Sequence, residues 1–207
     1  MKDDSLNWFF YLLIAATGVI GLSIIVDGMP ALVQGFGYAL TLGSFIFLID
    51  LDGTPKFRNL SRSILGMAIL IILAFGSVLF LRETIEINTF RAILYLVHGL
   101  TLLSVVVLSF AMHEFSTVIN SDRTVVFWKR VKRFSLYFFL IPLIVFLGAF
   151  ILSLFGFTVE IFTGVTEPGN KVSIAVLYLV RVLFLVPPML VILGTSKTIK
   201  ALHRVAP

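Results

Sequence analysis

The chain has 207 residues, 59% of them hydrophobic and 13% charged, with 16 Lys and Arg against 11 Asp and Glu. A water-soluble domain carries about 25% charged and 45–50% apolar residues; here the charges gather into short clusters between long uncharged stretches, which excludes a soluble globular enzyme and a disordered chain. The absence of cysteine excludes disulfides, thiolate catalysis and Cys-ligated metal sites.

Residues 5–26, 28–49, 63–81, 92–112 and 134–159 contain no Asp, Glu, Lys or Arg, and residues 172–196 contain one, Arg181. A helix needs about 20 apolar residues to cross roughly 30 Å of hydrocarbon at 1.5 Å per residue, so each stretch crosses once. The runs lack the alternation of a β-barrel, and in lipid only helices remain to satisfy the backbone. The sequence therefore predicts an all-α integral membrane protein, one bundle of six transmembrane helices near 8–26, 31–49, 64–81, 92–112, 134–156 and 172–194.

The first span follows Asp3 and Asp4 and is not followed by a small-x-small cleavage site, so it reads as a helix and not a signal peptide. Gly18 and Gly21 in it, and Gly35, Gly37 and Gly43 in the second, suit close helix packing. Asp27-Gly28-Met29-Pro30 is a turn with Pro placed to open the second span. Beyond that span comes Asp50-Leu51-Asp52-Gly53-Thr54, which resembles the first motif of haloacid-dehalogenase-like phosphatases; the resemblance implies Asp50 as nucleophile and Asp52 as acid/base. That chemistry needs a buried parallel strand before the loop, and a Lys and a further acidic pair after it. Only Glu160 and Glu167 follow position 122 among the acids, both on the opposite side of the membrane, so the string reads as a helix end and an Asp-Gly turn.

The fourth span carries His98 and, at its end, His113. Fifteen residues apart, they stand about 22 Å apart in depth, a separation that resembles the haem-bearing histidines of transmembrane b-type cytochromes. Those proteins need partner histidines on a second span, and the only other one here is His203 in the tail. His113-Glu114 is not followed by the second His of a zinc-protease motif, and Gly76-Ser77-Val78 lacks the context of an intramembrane serine protease. The expectation is a non-enzyme with no metal and no cofactor.

Between the fourth and fifth spans lies a basic loop, 113–133. Trp128, Lys129, Arg130, Lys132 and Arg133 are read as membrane-surface residues, with aromatics in the headgroup region and cations on anionic lipid at about 1 kcal/mol each. The tail, 195–207, reads as a basic helical extension. The N-terminus, the 50–63 loop, this loop and the tail together hold twelve Lys and Arg, against Arg82, Arg91 and Lys171 in the opposite loops. The positive-inside rule places both termini in the cytoplasm of the plasma or inner membrane. The expected partners are the bilayer itself, through anionic lipid at the cytoplasmic face, and a second copy or a larger membrane protein; nucleic acid is not expected.

Arg181 lies nine residues into the sixth span, about 14 Å deep, where an arginine costs about 2.5–3.5 kcal/mol on insertion scales and must face the bundle interior or a wet cavity. Six residues on, Pro187-Pro188 frees two carbonyls and predicts a kink. The outer halves of the even-numbered spans carry most of the remaining polarity: Gln34 and Tyr38 on the second, Tyr95 and His98 on the fourth, Tyr178 with Arg181 on the sixth. The sequence thus predicts an outward-facing pocket floored by Arg181 and walled by tyrosines, which binds or transports a small anionic ligand or a lipid headgroup. The alternative is a non-catalytic membrane subunit or sensory module coupled to a partner through the basic loop and tail.

Overall fold

The computed structural model describes residues 2–25, 30–81, 86–119, 121–155 and 185–205. They form six helices: α1 Lys2–Ile25, α2 Ala31–Ile49, α3 Pro55–Leu81, α4 Ile87–Ile119, α5 Asp122–Leu154 and α6 Val186–Val205. No strand occurs among the described residues, and five of the helices, α1 to α5, are long and apolar enough to cross a membrane.

Local chemistry places several helix ends. Pro30 precedes α2 with φ −56° and ψ 136°, an extended residue before the first turn. Thr54 caps α3, its hydroxyl accepting from the Phe57 amide at 3.1 Å, and Pro55 follows at a position where no amide hydrogen is needed. Leu51, between Asp50 and Asp52, is 2% exposed, and its amide turns back onto the Leu48 carbonyl. The Asp-Gly string is thus a helix end and a tight connection, with Thr54 serving the next helix.

The helices run further than the uncharged stretches. α3 starts at Pro55, where a span was expected from 64; α4 covers 87–119 against an expected 92–112; α5 starts at Asp122 against an expected 134. The expected loop 113–133 is therefore almost wholly helical, with only residues 120–121 between α4 and α5. The reason is that charge ends a hydropathic run without ending a helix: Lys, Arg and Glu are good helix formers, and a helix leaving the hydrocarbon continues while side-chain packing supports it. The tail is helical to Val205 as a continuation of α6. Pro187 and Pro188 stand in the first turn of α6, where proline is tolerated. Residues 156–184, on the other side of the expected kink, lie outside the described ones.

Chain neighbours pack side by side, α1 on α2, α2 on α3, α3 on α4 and α4 on α5, and α6 packs against α5, α1 and α4. At the end holding most of the Lys and Arg, all six helices meet in one buried cluster that includes Phe9, Phe45, Phe57, Met112, Trp128 and Val191. Toward the other end the buried residues divide. Tyr95, Leu102, Phe139 and Phe146 join α4 to α5, whereas Tyr38, Ile71, Phe75 and Val97 join α2, α3 and α4. The outward surface is strongly apolar, with Phe80 87% exposed, Leu32 73% and Ile141 71%. Surface of that kind is suited to lipid contact and would aggregate in water.

Several buried and part-buried hydroxyls are satisfied within their own helices. Thr41 donates to Gly37 O, Ser44 to Thr41 O, Ser104 to Thr101 O and Ser109 to Val106 O, all at 2.7–2.9 Å. Such back-bonding lets Ser and Thr sit in apolar surroundings without a ligand. Of the glycines in α1 and α2, Gly37 makes the tightest approach: a Cβ there would stand 2.6 Å from Ile20 Cγ1 and 3.2 Å from Val19 Cγ1, whereas Gly18 faces open space.

Candidate functional site

Gln34, Tyr38, Tyr95 and His98 are the described members of the expected pocket. Gln34 and Tyr38 share one face of α2, and Gln34 Nε2 donates to the Tyr38 hydroxyl at 3.2 Å. Tyr38 is 5% exposed, meets Phe75 of α3 edge-on with centroids 5.2 Å apart, and has the Thr101 side chain of α4 beside its hydroxyl. Beside it lies an open groove of about 310 Å³ between α2 and α3, lined by Leu32, Gly35, Phe36, Phe75, Gly76 and Leu79 with Tyr38 in its wall. Among the described residues none of the groove's lining side chains is charged.

Tyr95 and His98 sit elsewhere. On α4, Thr101 looks toward α2 and α3, and Tyr95 lies about 120° around the helix from it. Tyr95 is buried against Phe146 of α5 with centroids 6.4 Å apart. His98 stacks on the same ring at 5.4 Å and 19°, and its Nδ1 donates to the Leu94 carbonyl at 2.7 Å. A carbonyl only accepts, so that nitrogen carries the proton. Gln34 and Tyr38 therefore belong to the α2–α3–α4 junction, and Tyr95 and His98 to the α4–α5 junction. Tyr178 and Arg181 lie outside the described residues.

The basic end is built differently from a loop lying on a membrane. The buried face of α5 runs through Thr124, Trp128, Val131, Ser135 and Phe139, a single stripe at helical spacing that passes straight through the charged segment. Trp128 is fully buried, and its indole nitrogen donates to Thr198 Oγ1 of α6 at 2.9 Å. It does not anchor in headgroups. Gly194, one turn before Thr198, makes the room: a Cβ there would stand 2.6 Å from Trp128 Cζ2 and 2.8 Å from Phe127 Cε1. Lys197 adds a cation over the Phe127 ring at 4.0 Å. Lys129, Arg130 and Arg133 are exposed and Lys132 is half-buried, so one side of the helix locks to α6 and the other presents charge.

A second polar group at this end joins three helices. Lys56 of α3 and Glu114 of α4 form an ion pair at 2.7 Å, with the Lys side chain 66% exposed and the Glu 18%. His113 Nδ1 stands 3.9 Å from the same carboxylate oxygen. Lys132 of α5 lies over Phe110 of α4 at 5.1 Å. Sequence reading named Trp128 and the lysines but gave them one surface role. Reading the 3.6-residue period through the charges would have turned Trp128 inward. Nothing in the sequence pairs Lys56 with Glu114, 58 positions away.

Among the described residues no group of three or more His, Asp or Glu side chains is placed to hold a metal ion. Comparison with protein-family models, with curated proteins and with solved structures gave no match.

Proposed function

We propose that the chain is a six-span membrane protein, with both termini in the cytoplasm of the plasma or inner membrane, that acts as a non-catalytic coupling module for an acidic partner protein at its basic end. The observation that carries this reading is the Trp128–Thr198 joint. It ties the basic first turns of α5 to the basic helix α6, so two charged segments far apart in sequence form one preorganised surface. Preorganisation favours binding because less side-chain and backbone freedom is lost on association.

Purification from native membranes tests it. The expected result is one protein that co-purifies with the parent chain and is lost when Arg130, Arg133 and Lys200 are all replaced by Glu. Retention of the same protein by the charge-reversed chain, at unchanged abundance in the membrane, would overturn the reading.

A second reading, binding or transport of a small anionic ligand in the outer half, is favoured by one observation: Gln34, Tyr38 and Thr101 form a polar chain across α2 and α4. Arg181 would supply its charge. Arg181→Gln should then abolish ligand-dependent thermal stabilisation without loss of expression.

A further inference from the structure

The α4–α5 face at the basic end contains two buried polar atoms without a hydrogen-bond partner, His113 Nδ1 and Ser135 Oγ. Ser135 is a lone hydroxyl deep in the apolar stripe of α5. His113 has different company. Two neighbouring helices bring ammonium groups toward its ring: Lys56 on α3, and Lys129 and Lys132 one helical turn apart on α5, all close enough to act electrostatically on the imidazole. The one facing carboxylate among the described residues, Glu114, is engaged by Lys56 at 2.7 Å. Among the described residues, three ammonium groups against one carboxylate leave the niche with an excess of two positive charges.

Depth identifies what neutralises it. His113 is the first residue after the uncharged stretch 92–112 of α4, and Lys132 and Arg133 are the last before the uncharged stretch 134–159. Lys132 reaches back over Phe110, within that apolar stretch of α4. A cation at the hydrocarbon edge is stabilised by a counter-anion of the interface, where the phosphates of the lipids lie. An aromatic face beneath it attracts the ammonium but leaves its charge uncompensated. A histidine N–H and lysine ammonium groups are the donors that charge-assisted hydrogen bonds to phosphate oxygens require.

We infer that this niche between α3, α4 and α5 binds the phosphate of an anionic lipid headgroup, with His113 and Lys132 as its inner donors and Lys129 and Lys56 at its rim. The inference rests on the proposed function only in setting the basic end at a membrane surface.

The test is native mass spectrometry of the full-length protein in detergent, titrated separately with phosphatidylglycerol, phosphatidylcholine, oleate and inorganic phosphate. One phosphatidylglycerol should bind in preference to the zwitterionic lipid and to the carboxylate. His113→Phe and Lys132→Gln should each weaken it at least tenfold, whereas Lys132→Arg and Arg123→Gln should leave it near the parent value. Arg123 is exposed on the first turn of α5, away from the niche, and controls for general basicity. Melting curves run in parallel identify a variant that fails to fold, in which case the other inner variant decides. Equal binding by both inner variants and the parent, equal loss in Arg123→Gln, or no preference for phosphatidylglycerol over phosphatidylcholine or oleate would overturn the inference. Inorganic phosphate competing at the same concentration as the lipid would show a free-anion site and overturn the lipid assignment. No partner protein is present, so a negative result leaves the coupling reading standing, and loss of the partner leaves lipid binding standing.

Discussion

Replacing Gly194 with Ala is the most direct probe of the α5–α6 joint. The added Cβ would meet Trp128 Cζ2 at 2.6 Å, Trp128 Cη2 at 2.8 Å and Phe127 Cε1 at 2.8 Å. Carbon atoms settle at about 3.5–4.0 Å, so the indole and helix α6 must part by about 1 Å. The indole has little freedom to yield: Trp128 is 0% exposed, and its N–H is held by Thr198 at 2.9 Å. Overpacking of this kind costs about 1–3 kcal/mol, outweighing the advantage of about 1 kcal/mol that Ala has over Gly in a helix. A net loss of about 1–2 kcal/mol, at about 2–4 °C per kcal/mol for a chain of this size, should lower the melting temperature by roughly 2–8 °C. The chain has two tryptophans, and Trp8 is 55% exposed; in a Trp8→Phe background the fluorescence of detergent-purified protein reports the joint alone. Gly18→Ala and Gly66→Ala, whose new methyls meet nothing within 4 Å, serve as controls and should melt at or above the parent. Trp128→Phe should cost less beside Gly194→Ala than alone, because the smaller ring relieves the clash. A Gly194→Ala protein that melts with the parent would refute the close packing of α6 on α5.

Other expected outcomes follow from the same geometry. Thr198→Val keeps the volume but leaves the indole N–H buried without an acceptor, so it should destabilise by about 1–3 kcal/mol, and thermal melts should show the loss shrinking when Trp128→Phe is added. Gly37→Ala drives a methyl toward Ile20 Cγ1 at 2.6 Å and should separate α1 from α2, lowering the melting temperature where Gly18→Ala does not. Glu114→Gln removes an ion pair whose lysine is 66% exposed; such pairs are worth about 0–1 kcal/mol, so the melting temperature should move by no more than about 4 °C.

The helices were legible from the sequence because lipid leaves a span no alternative: once charge disappears for 19 residues or more, the backbone must satisfy itself. α2 was placed to the residue, since Pro30 and Asp50 bracket it on both sides. The longer helices run past their predicted basic ends, because hydropathy marks where the hydrocarbon stops whereas packing decides where the helix stops. Trp128 shows why. Its neighbours Lys129 and Arg130 make the segment look interfacial, yet Thr124, Trp128, Val131 and Ser135 continue the buried stripe of α5, and only a helix across from them could reveal that the stripe is covered. The outer residues show the converse limit. Depth along each span was readable, but the angular position of Tyr95 relative to Tyr38 depends on how α4 is rotated between α3 and α5, which no single helix encodes. The partner of Glu114 was beyond reach for the same reason, since α3 and α4 pair only once the chain has folded.

Mechanically, α4 and α5 are unequal members of a pair. Each has 33 residues, a rod of about 50 Å. α4 contains no proline and behaves as a beam. α5 runs unbroken through Pro142, which has no amide hydrogen for the Phe138 carbonyl and is the place where such a helix bends most easily. The arm from Asp122 to that proline measures about 30 Å, so a bend of roughly 5° there carries its tip by roughly 3 Å, about the reach of a hydrogen bond. Because Trp128 rides on that arm and is fastened to α6, a bend at Pro142 would carry the tail helix with it, past the proline-free α4.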